Sequence, residues 1–267
     1  MSYRAFFGFT REPFSSDLDI DAILQTPDLL GVSQRVEYVI RIGGIGLVTG
    51  EVGAGKSTAL RWSAAQLHPS KYKTLWITAT AGSILEVYRQ LLAELDINTA
   101  TSSRAVLTRQ IRQQIHNLVT TKKQQLLLVI DEASLLRLDV FTELHTLTQF
   151  QGDSKPWLPI ILAGQNNLAE NLMYRTAIPL SSRIVARSHL KAVDKEGMEE
   201  YLQHHLNIAG LKNSPFNEQA VTAVHQGSGG LFRKANHLAR GALIAAAAEK
   251  SQTVTADHVR KADSELL

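Results

Sequence analysis

The sequence predicts an α/β fold in which helices cover both faces of a parallel five-stranded sheet, followed by a small all-helical domain. Between Ile45 and Ala163, short apolar strands alternate with helices, a pattern typical of parallel sheets buried on both faces, and a last strand near Ile184–Leu190 completes five. After about Lys191 the strand patterns stop, and only helical spacing remains. We therefore divide the chain into an N-terminal arm at residues 1–30, an α/β core at residues 31–190 and a helical lid domain at residues 191–267.

The individual elements follow from the hydrophobic spacing, taken in chain order. The arm mixes aromatic and acidic residues and is predicted to be irregular, and the first helix is predicted at residues 31–42. The five strands are predicted at residues 45–49, 74–78, 126–130, 158–163 and 184–190. Helices of the core are predicted at residues 56–67, 83–95, 102–119 and 140–150. The lid helices are predicted at residues 194–208, 217–226, 231–249 and 255–266.

The composition excludes several classes of protein. The 267 residues are 44% hydrophobic and 20% charged, which fits a chain that buries a core rather than a disordered one. There is no cysteine, which excludes a disulfide framework and a thiolate metal site. The longest apolar runs are far shorter than the roughly 20 residues that a membrane helix needs. We therefore expect a cytoplasmic protein without a membrane span.

A phosphate-binding loop is predicted where the first strand meets its helix. Residues 50–57 read Gly-Glu-Val-Gly-Ala-Gly-Lys-Ser and fit G-x-x-x-x-G-K-[ST] at every fixed position. Backbone N–H groups of such a loop surround phosphate oxygens, and the helix N-terminus adds positive potential. Lys56 can reach the β- and γ-phosphates of ATP, and the Ser57 hydroxyl can bind Mg²⁺. The predicted nucleotide contacts are Gly50, Glu51, Val52, Gly53, Ala54, Gly55, Lys56, Ser57 and Thr58.

Two adjacent acids follow a buried strand at the edge where ligands bind in open α/β sheets. Asp131 and Glu132 come directly after the apolar residues 126–130. Asp131 is predicted to hold Mg²⁺, and Glu132 is predicted to orient and polarise the attacking water. The alternative is that the pair only caps the next helix. The phosphate-binding loop favours the catalytic interpretation, and a base for water favours hydrolysis over kinase chemistry.

These motifs and their surroundings resemble the AAA+ ATPases, a class of P-loop NTPases, and within them the ExeA-type branch and the TniB/TnsC-type transposition ATPases. The resemblance covers nearly the whole chain. It implies ATP and Mg²⁺ as cofactors and a homo-oligomeric ring or filament with ATP at the subunit junctions. Besides the phosphate loop, the matching segments are Phe7-Gly8-Phe9 with Glu12-Pro13-Phe14, Ile161–Gln165, Leu180–Ile184 and Gly229–Arg233 with Asn236.

The same resemblance implies roles for three further residues. Gln165 matches sensor 1, which orients the water, and Arg233 matches sensor 2, which contacts the γ-phosphate. Arg183 matches the arginine finger, which compensates charge on the phosphoryl group at a neighbouring subunit's site. Arg175 remains a rival for that role. Phe232 stands where many AAA+ proteins carry a proline, which weakens the match at Arg233.

A segment without acids is predicted to contact double-stranded DNA. Residues 97–130 contain no Asp or Glu, and basic side chains of the helix at residues 102–119 lie opposite its apolar face. Phosphate contacts from such a stripe are sequence-independent and salt-sensitive. The alternative is an ordinary solvated helix face. The candidate DNA contacts are Arg104, Arg109, Arg112, Lys122 and Lys123.

The sequence and the resemblance together favour an ATP-hydrolysing regulator that oligomerises on duplex DNA and recruits or activates a transposase. One alternative is an ATPase like general secretion pathway protein A. Such proteins are often longer and carry a membrane segment, which we do not expect here. The other alternative is an ATP-gated scaffold with little turnover.

Overall fold

A computed structural model describes residues 2–265 of the chain. The strands are β1 (Ile45–Gly50), β2 (Tyr72–Thr78), β3 (Gln125–Asp131), β4 (Ile160–Gly164) and β5 (Ile184–Leu190). The helices are α1 (Tyr3–Phe7), α2 (Pro27–Ile42), α3 (Lys56–Ala65), α4 (Ile84–Glu94), α5 (Arg104–His116), α6 (Leu138–Leu147), α7 (Asn167–Asn171), α8 (Ile178–Ser181), α9 (Lys195–Ile208), α10 (Glu218–Ser228), α11 (Phe232–Ala248) and α12 (Ala256–Glu265). The predicted end of the last helix, Leu266, lies outside the described residues.

The five strands form one parallel sheet, as the sequence predicts, and their order in the sheet is β2-β3-β4-β1-β5. In the register of the central strands, Ile130 pairs with Leu162 and Thr49 pairs with Gly164. Because neighbouring parallel strands end at the same edge, the carboxyl ends of β3, β4 and β1 lie side by side. The predicted phosphate loop and the acid pair both begin at this edge.

The chain forms two compact units, each with its own core. The sheet unit consists of Thr26–Gly50 and Lys56–Leu190. Its β1, β3 and β4 are buried almost throughout, which explains why their sequences are apolar without alternation. The helical unit consists of the chain up to Gln25, the loop Glu51–Gly55 and the chain from Lys191 onward.

The arm is not irregular at its start, so that prediction was wrong for Tyr3–Phe7. Ser2 caps α1 by accepting a hydrogen bond from Ala5 N, and Gly8 ends the helix in the left-handed conformation that glycine adopts at low cost. The arm packs within the helical unit, where Phe14 is 1% exposed and stacks on His205 with ring centroids 5.5 Å apart. The aromatic side chains of the arm thus belong to the core of the helical unit.

The helix predicted at residues 102–119 changes type before its end. Its α-helical part, α5, ends at His116, and a π-helical turn follows at Asn117–Thr121. Among residues 2–265, no helix is long and apolar enough to cross a membrane.

Candidate nucleotide site

In the sheet unit, the two ends of the phosphate loop are joined by a hydrogen bond. Lys56, the first residue of α3, is 7% exposed, and its Nζ donates to Gly50 O at 2.9 Å. Ser57 and Thr58 are exposed in the first turn of α3. This places a buried ammonium group and an exposed hydroxyl at a helix N-terminus, which is the arrangement that binds phosphate.

The middle of the loop packs against α11 within the helical unit. Gly53 has φ +86°, and a Cβ at this position would lie 2.8 Å from Arg233 Cβ. The main-chain N of Arg233 donates to Gly53 O at 3.3 Å. Glycine is therefore required at position 53 both by backbone conformation and by close approach. The structure brings the loop and the predicted sensor 2 residue together.

Arg233 lies in the first turn of α11, where the helix dipole opposes a positive charge. Its side chain is exposed. The preceding residue, Phe232, packs on Tyr201 with ring centroids 4.4 Å apart, and Tyr201 donates a hydrogen bond to Asn236 Oδ1 at 2.9 Å. Burial raises the pKa of Tyr201 to about 12. Tyr201 thus supports the start of α11, and no motif in the sequence indicates this role.

The acid pair has an unusual backbone. Asp131 ends β3 and is 8% exposed, and its Oδ1 accepts a hydrogen bond from Glu132 N at 2.9 Å. Glu132 has φ +53°, a left-handed conformation that costs a non-glycine residue roughly 1–2 kcal/mol. Its side chain makes no capping hydrogen bond to the following 3₁₀ turn, Ala133–Leu135. The capping alternative therefore does not account for Glu132, whereas such strain is common at functional sites.

Gln165 directly follows β4 and is held beside the turn that follows the acids. A Cβ on Gly164 would lie 2.8 Å from Ser134 N, so only glycine allows this approach. The N–H of Gln165 donates to Ser134 Oγ at 3.4 Å, and Ser134 is 7% exposed. Ser134 is not among the residues predicted from the sequence, and its only signal there is its position two residues after the acid pair. Its hydroxyl links the ends of β3 and β4.

The oxygen donors at this edge fit a magnesium ion by their chemistry. Mg²⁺ prefers oxygen ligands and is usually held in proteins by one or two carboxylates together with water and substrate phosphates. Asp131, the last residue of β3, supplies a carboxylate, and Ser57, in the first turn of α3, supplies a hydroxyl. The residues present therefore suit a cation that is bound together with a nucleotide phosphate.

Arg183 lies at the opposite end of the strands from the phosphate loop. Its main-chain oxygen accepts a hydrogen bond from Ile45 N, at the start of β1, whereas the phosphate loop begins at the end of β1. Its guanidinium forms an ion pair with Asp153, and its Nε donates to His145 Nδ1 at 3.2 Å. The Arg183 hydrogen bond lowers the pKa of Asp153. Burial, and then the Arg183 charge, lower the pKa of His145.

The basic stripe on α5 divides into engaged and exposed side chains. Arg104 forms an ion pair with Glu143, and Arg112 donates to the main-chain oxygens of Gln149 and Thr146. The other three predicted DNA contacts, Arg109, Lys122 and Lys123, are exposed. The predicted stripe is thus not a uniformly solvated helix face.

Residues 40–172 match the family described as AAA domain. The chain is 30% identical over 261 residues to General secretion pathway protein A of Aeromonas hydrophila, which covers 94% of this chain and 46% of that protein. It is 28% identical over 229 residues to ATP-dependent target DNA activator B of Escherichia phage Mu, which covers 83% of this chain and 66% of that protein. The chain thus spans about half to two thirds of these relatives.

Solved structures share the fold at low sequence identity. Cdc6p from Pyrobaculum aerophilum superimposes with a TM-score of 0.75 at 16% identity, over 95% of this chain and 70% of that one. The Aeropyrum pernix ORC1 protein in complex with DNA gives a TM-score of 0.70 at 16% identity, over 92% of this chain and 67% of that one. At this level of identity, the likeness concerns the fold alone.

Proposed function

We propose that this chain, which belongs to the AAA+ ATPases of the ExeA and phage Mu activator type, hydrolyses ATP and regulates DNA transposition. One observation carries the ATPase part of this proposal: three neighbouring strands end at one edge. These ends supply Lys56 after β1, Asp131 and Glu132 at the end of β3, and Gln165 after β4. We assign to these residues the charge, the metal donor and the base that hydrolysis of a phosphoanhydride requires.

Each side chain at this edge has a separate task in the proposal. Lys56 binds the β- and γ-phosphates, and Ser57 and Asp131 hold the Mg²⁺, which neutralises charge on the phosphate oxygens when it is bound. Glu132 orients the attacking water and accepts its proton. Gln165 fixes the position of that water, and Ser134 keeps Gln165 beside the turn that follows Glu132.

The position of Arg183 supports hydrolysis between subunits. A strand of six residues such as β1 spans roughly 17–20 Å, and this length separates Arg183 from the phosphate loop of the same sheet. An arginine side chain cannot extend that far. If Arg183 contacts a γ-phosphate, the nucleotide is therefore bound by a neighbouring subunit, which supports a homo-oligomeric ring or filament. Arg175, which is exposed between α7 and α8, is the rival for this role.

Two observations support duplex DNA and a transposase as the partners. The first is the identity with a relative whose name states that it activates target DNA in an ATP-dependent way. The second is the exposure of Lys122 and Lys123, which lie in a segment without acids. The two engaged cations, Arg104 and Arg112, contribute less, because their guanidinium groups already have partners in the chain.

A second function is favoured by a different observation. The identity with General secretion pathway protein A extends over 94% of this chain, which supports an ATPase of the secretion type equally well. Electron microscopy and ATPase assays with and without duplex DNA separate the two functions. ATP-dependent rings or filaments that form on DNA would support transposition. If neither assembly nor turnover responds to DNA, the secretion-type ATPase or an ATP-gated scaffold is favoured instead.

The Glu132→Gln variant tests the catalytic assignment. The amide keeps the size of the side chain but cannot accept a proton, so we expect turnover to fall by roughly 10²- to 10⁴-fold while ATP affinity is kept. The matched control is Glu170→Gln, which neutralises an exposed carboxylate on α7 and should leave turnover unchanged. Undiminished hydrolysis in the Glu132 variant would exclude that residue as the base.

A further inference from the structure

A groove of about 930 Å³ lies along α5 in the sheet unit, apart from the phosphate loop. One wall is the basic side of α5, and the other comes from the segment that follows α6. Its principal lining residues are Arg104, Arg109, Arg112, His116, Phe150 and Trp157. We propose that this groove binds an acidic segment of a partner protein that also carries apolar side chains.

The charge of the groove calls for an anionic occupant. None of the residues that line it is acidic. Arg104 is paired with Glu143, but among residues 2–265 neither Arg109 nor Arg112 has a carboxylate within ion-pair distance. Arg112 donates instead to the neutral main-chain oxygens of Gln149 and Thr146. Among the described residues, Arg109 therefore keeps a charge that no carboxylate compensates, and a carboxylate of the occupant matches the geometry of its guanidinium.

The aromatic wall argues that the occupant also has apolar side chains. Phe150 and Trp157 pack with ring centroids 5.4 Å apart, and the His116 ring lies edge-on to Trp157 at 5.3 Å. An occupant that lies along this wall removes the exposed part of Trp157 from water. Acidic side chains alone would leave the exposed part of Trp157 in contact with water, whereas leucine or phenylalanine side chains would cover it.

The same rings disfavour single-stranded nucleic acid as the occupant. Single strands bind through bases stacked on exposed aromatic faces. Phe150 is 4% exposed, and the Arg112 guanidinium lies 5.5 Å from the centre of its ring. Trp157 is in contact with both Phe150 and His116. A peptide needs only the edges of these rings and the cations beside them.

Fluorescence anisotropy with a defined probe tests the proposal on the full chain without nucleotide. The probe is a labelled twelve-residue peptide of glutamates interspersed with leucine and phenylalanine. One control peptide replaces every glutamate with glutamine, and a second replaces the apolar residues with serine. We expect the probe to bind and each control to bind at least roughly tenfold more weakly. Equal binding of all three peptides would overturn the proposal.

Three variants locate the binding in the groove. Arg109→Glu reverses the exposed cation, and Ala105→Trp fills the groove from an exposed position of α5 without changing the charge. Each should weaken binding of the probe by roughly tenfold or more. Arg89→Glu, at an exposed position of α4, is the charge-matched control and should change affinity less than about twofold. Thermal unfolding followed by circular dichroism checks that all three variants fold.

Two further results would contradict the proposal. One is that Arg89→Glu weakens binding of the probe as much as Arg109→Glu does, because the loss of affinity would then reflect the net charge of the protein and not the groove. The other is that Ala105→Trp weakens binding of labelled duplex or single-stranded DNA as much as binding of the peptide, because the groove would then belong to a nucleic-acid surface. Since the probe is measured without ATP, its failure leaves the ATPase proposal standing, and the reverse also holds.

Discussion

Replacing Gly53 with alanine perturbs the contact between the phosphate loop and α11 at a single atom. The new methyl group would lie 2.8 Å from Arg233 Cβ, about 1 Å closer than an ordinary contact between carbon atoms. At φ +86° the alanine also adopts a left-handed backbone, which costs roughly 1–2 kcal/mol. Overpacking adds roughly 1–3 kcal/mol. The free energy of unfolding should therefore fall by roughly 2–5 kcal/mol.

Gly229→Ala separates the two costs. Gly229 ends α10 with φ +60°, and a Cβ there would meet nothing within 4 Å, so only the backbone cost of roughly 1–2 kcal/mol applies. Urea unfolding followed by circular dichroism gives both values, and titration of a fluorescent ATP analogue gives the affinity. We expect Gly53→Ala to weaken nucleotide binding and Gly229→Ala to leave it near wild type. Equal losses of stability and unchanged affinity in both variants would refute the argument from close approach.

Three further predictions concern other parts of the chain. Burial, and then the neighbouring His204 charge, lower the pKa of His205 to about 4. As the pH falls from 6.5 to 4, the unfolded chain therefore gains a proton at this residue, whereas the folded chain does not. The free energy of unfolding should therefore decrease by roughly 3 kcal/mol over this fall in pH. Urea unfolding of the His205→Gln variant should show a smaller decrease over the same pH range. Arg183→Ala should lower turnover by roughly 10³-fold or more, and mixing it with Lys56→Ala subunits should restore part of the activity if the arginine acts across subunits. Replacing Lys122 and Lys123 with glutamate should weaken binding of duplex DNA. The slope of the logarithm of the binding constant against the logarithm of salt concentration should become shallower by about 0.9 for each DNA phosphate that the variant no longer neutralises.

Hydrophobic patterning predicts the sheet because burial on both faces leaves a direct mark in the sequence. The buried strand β1 differs from its prediction only by the addition of Gly50. The edge strand β5, whose residues are alternately exposed, also has its predicted bounds. Helix ends are less accurate because the apolar spacing does not determine them. The prediction of one helix over residues 102–119 did not anticipate the π-helical turn at Asn117–Thr121, since periodicity hardly distinguishes the two kinds of helix.

The candidate site is read from motifs, whereas its supports depend on tertiary contacts. Glycine and lysine at fixed spacing predict the phosphate loop because few other residues allow that backbone. Ser134 and Tyr201 carry no such spacing. Ser134 matters because Gly164 lies against its main-chain N, and Tyr201 matters because it packs on Phe232 from another helix. Such residues cannot be found until the chain is folded.

The positions where local preference is violated also separate functional from structural interpretations. Glu132 occupies a left-handed conformation without any capping bond in return, and Arg233 places a cation in a first helical turn that favours anions. Neither choice benefits the free chain. Under the proposed function, the charge of Arg233 would be offset by a nucleotide phosphate, and the backbone of Glu132 would direct its carboxylate toward a water. By contrast, Arg112 satisfies the carbonyl groups at the end of α6, as a structural arginine does. These two local costs therefore support the proposed roles of Glu132 and Arg233 independently of the sequence motifs.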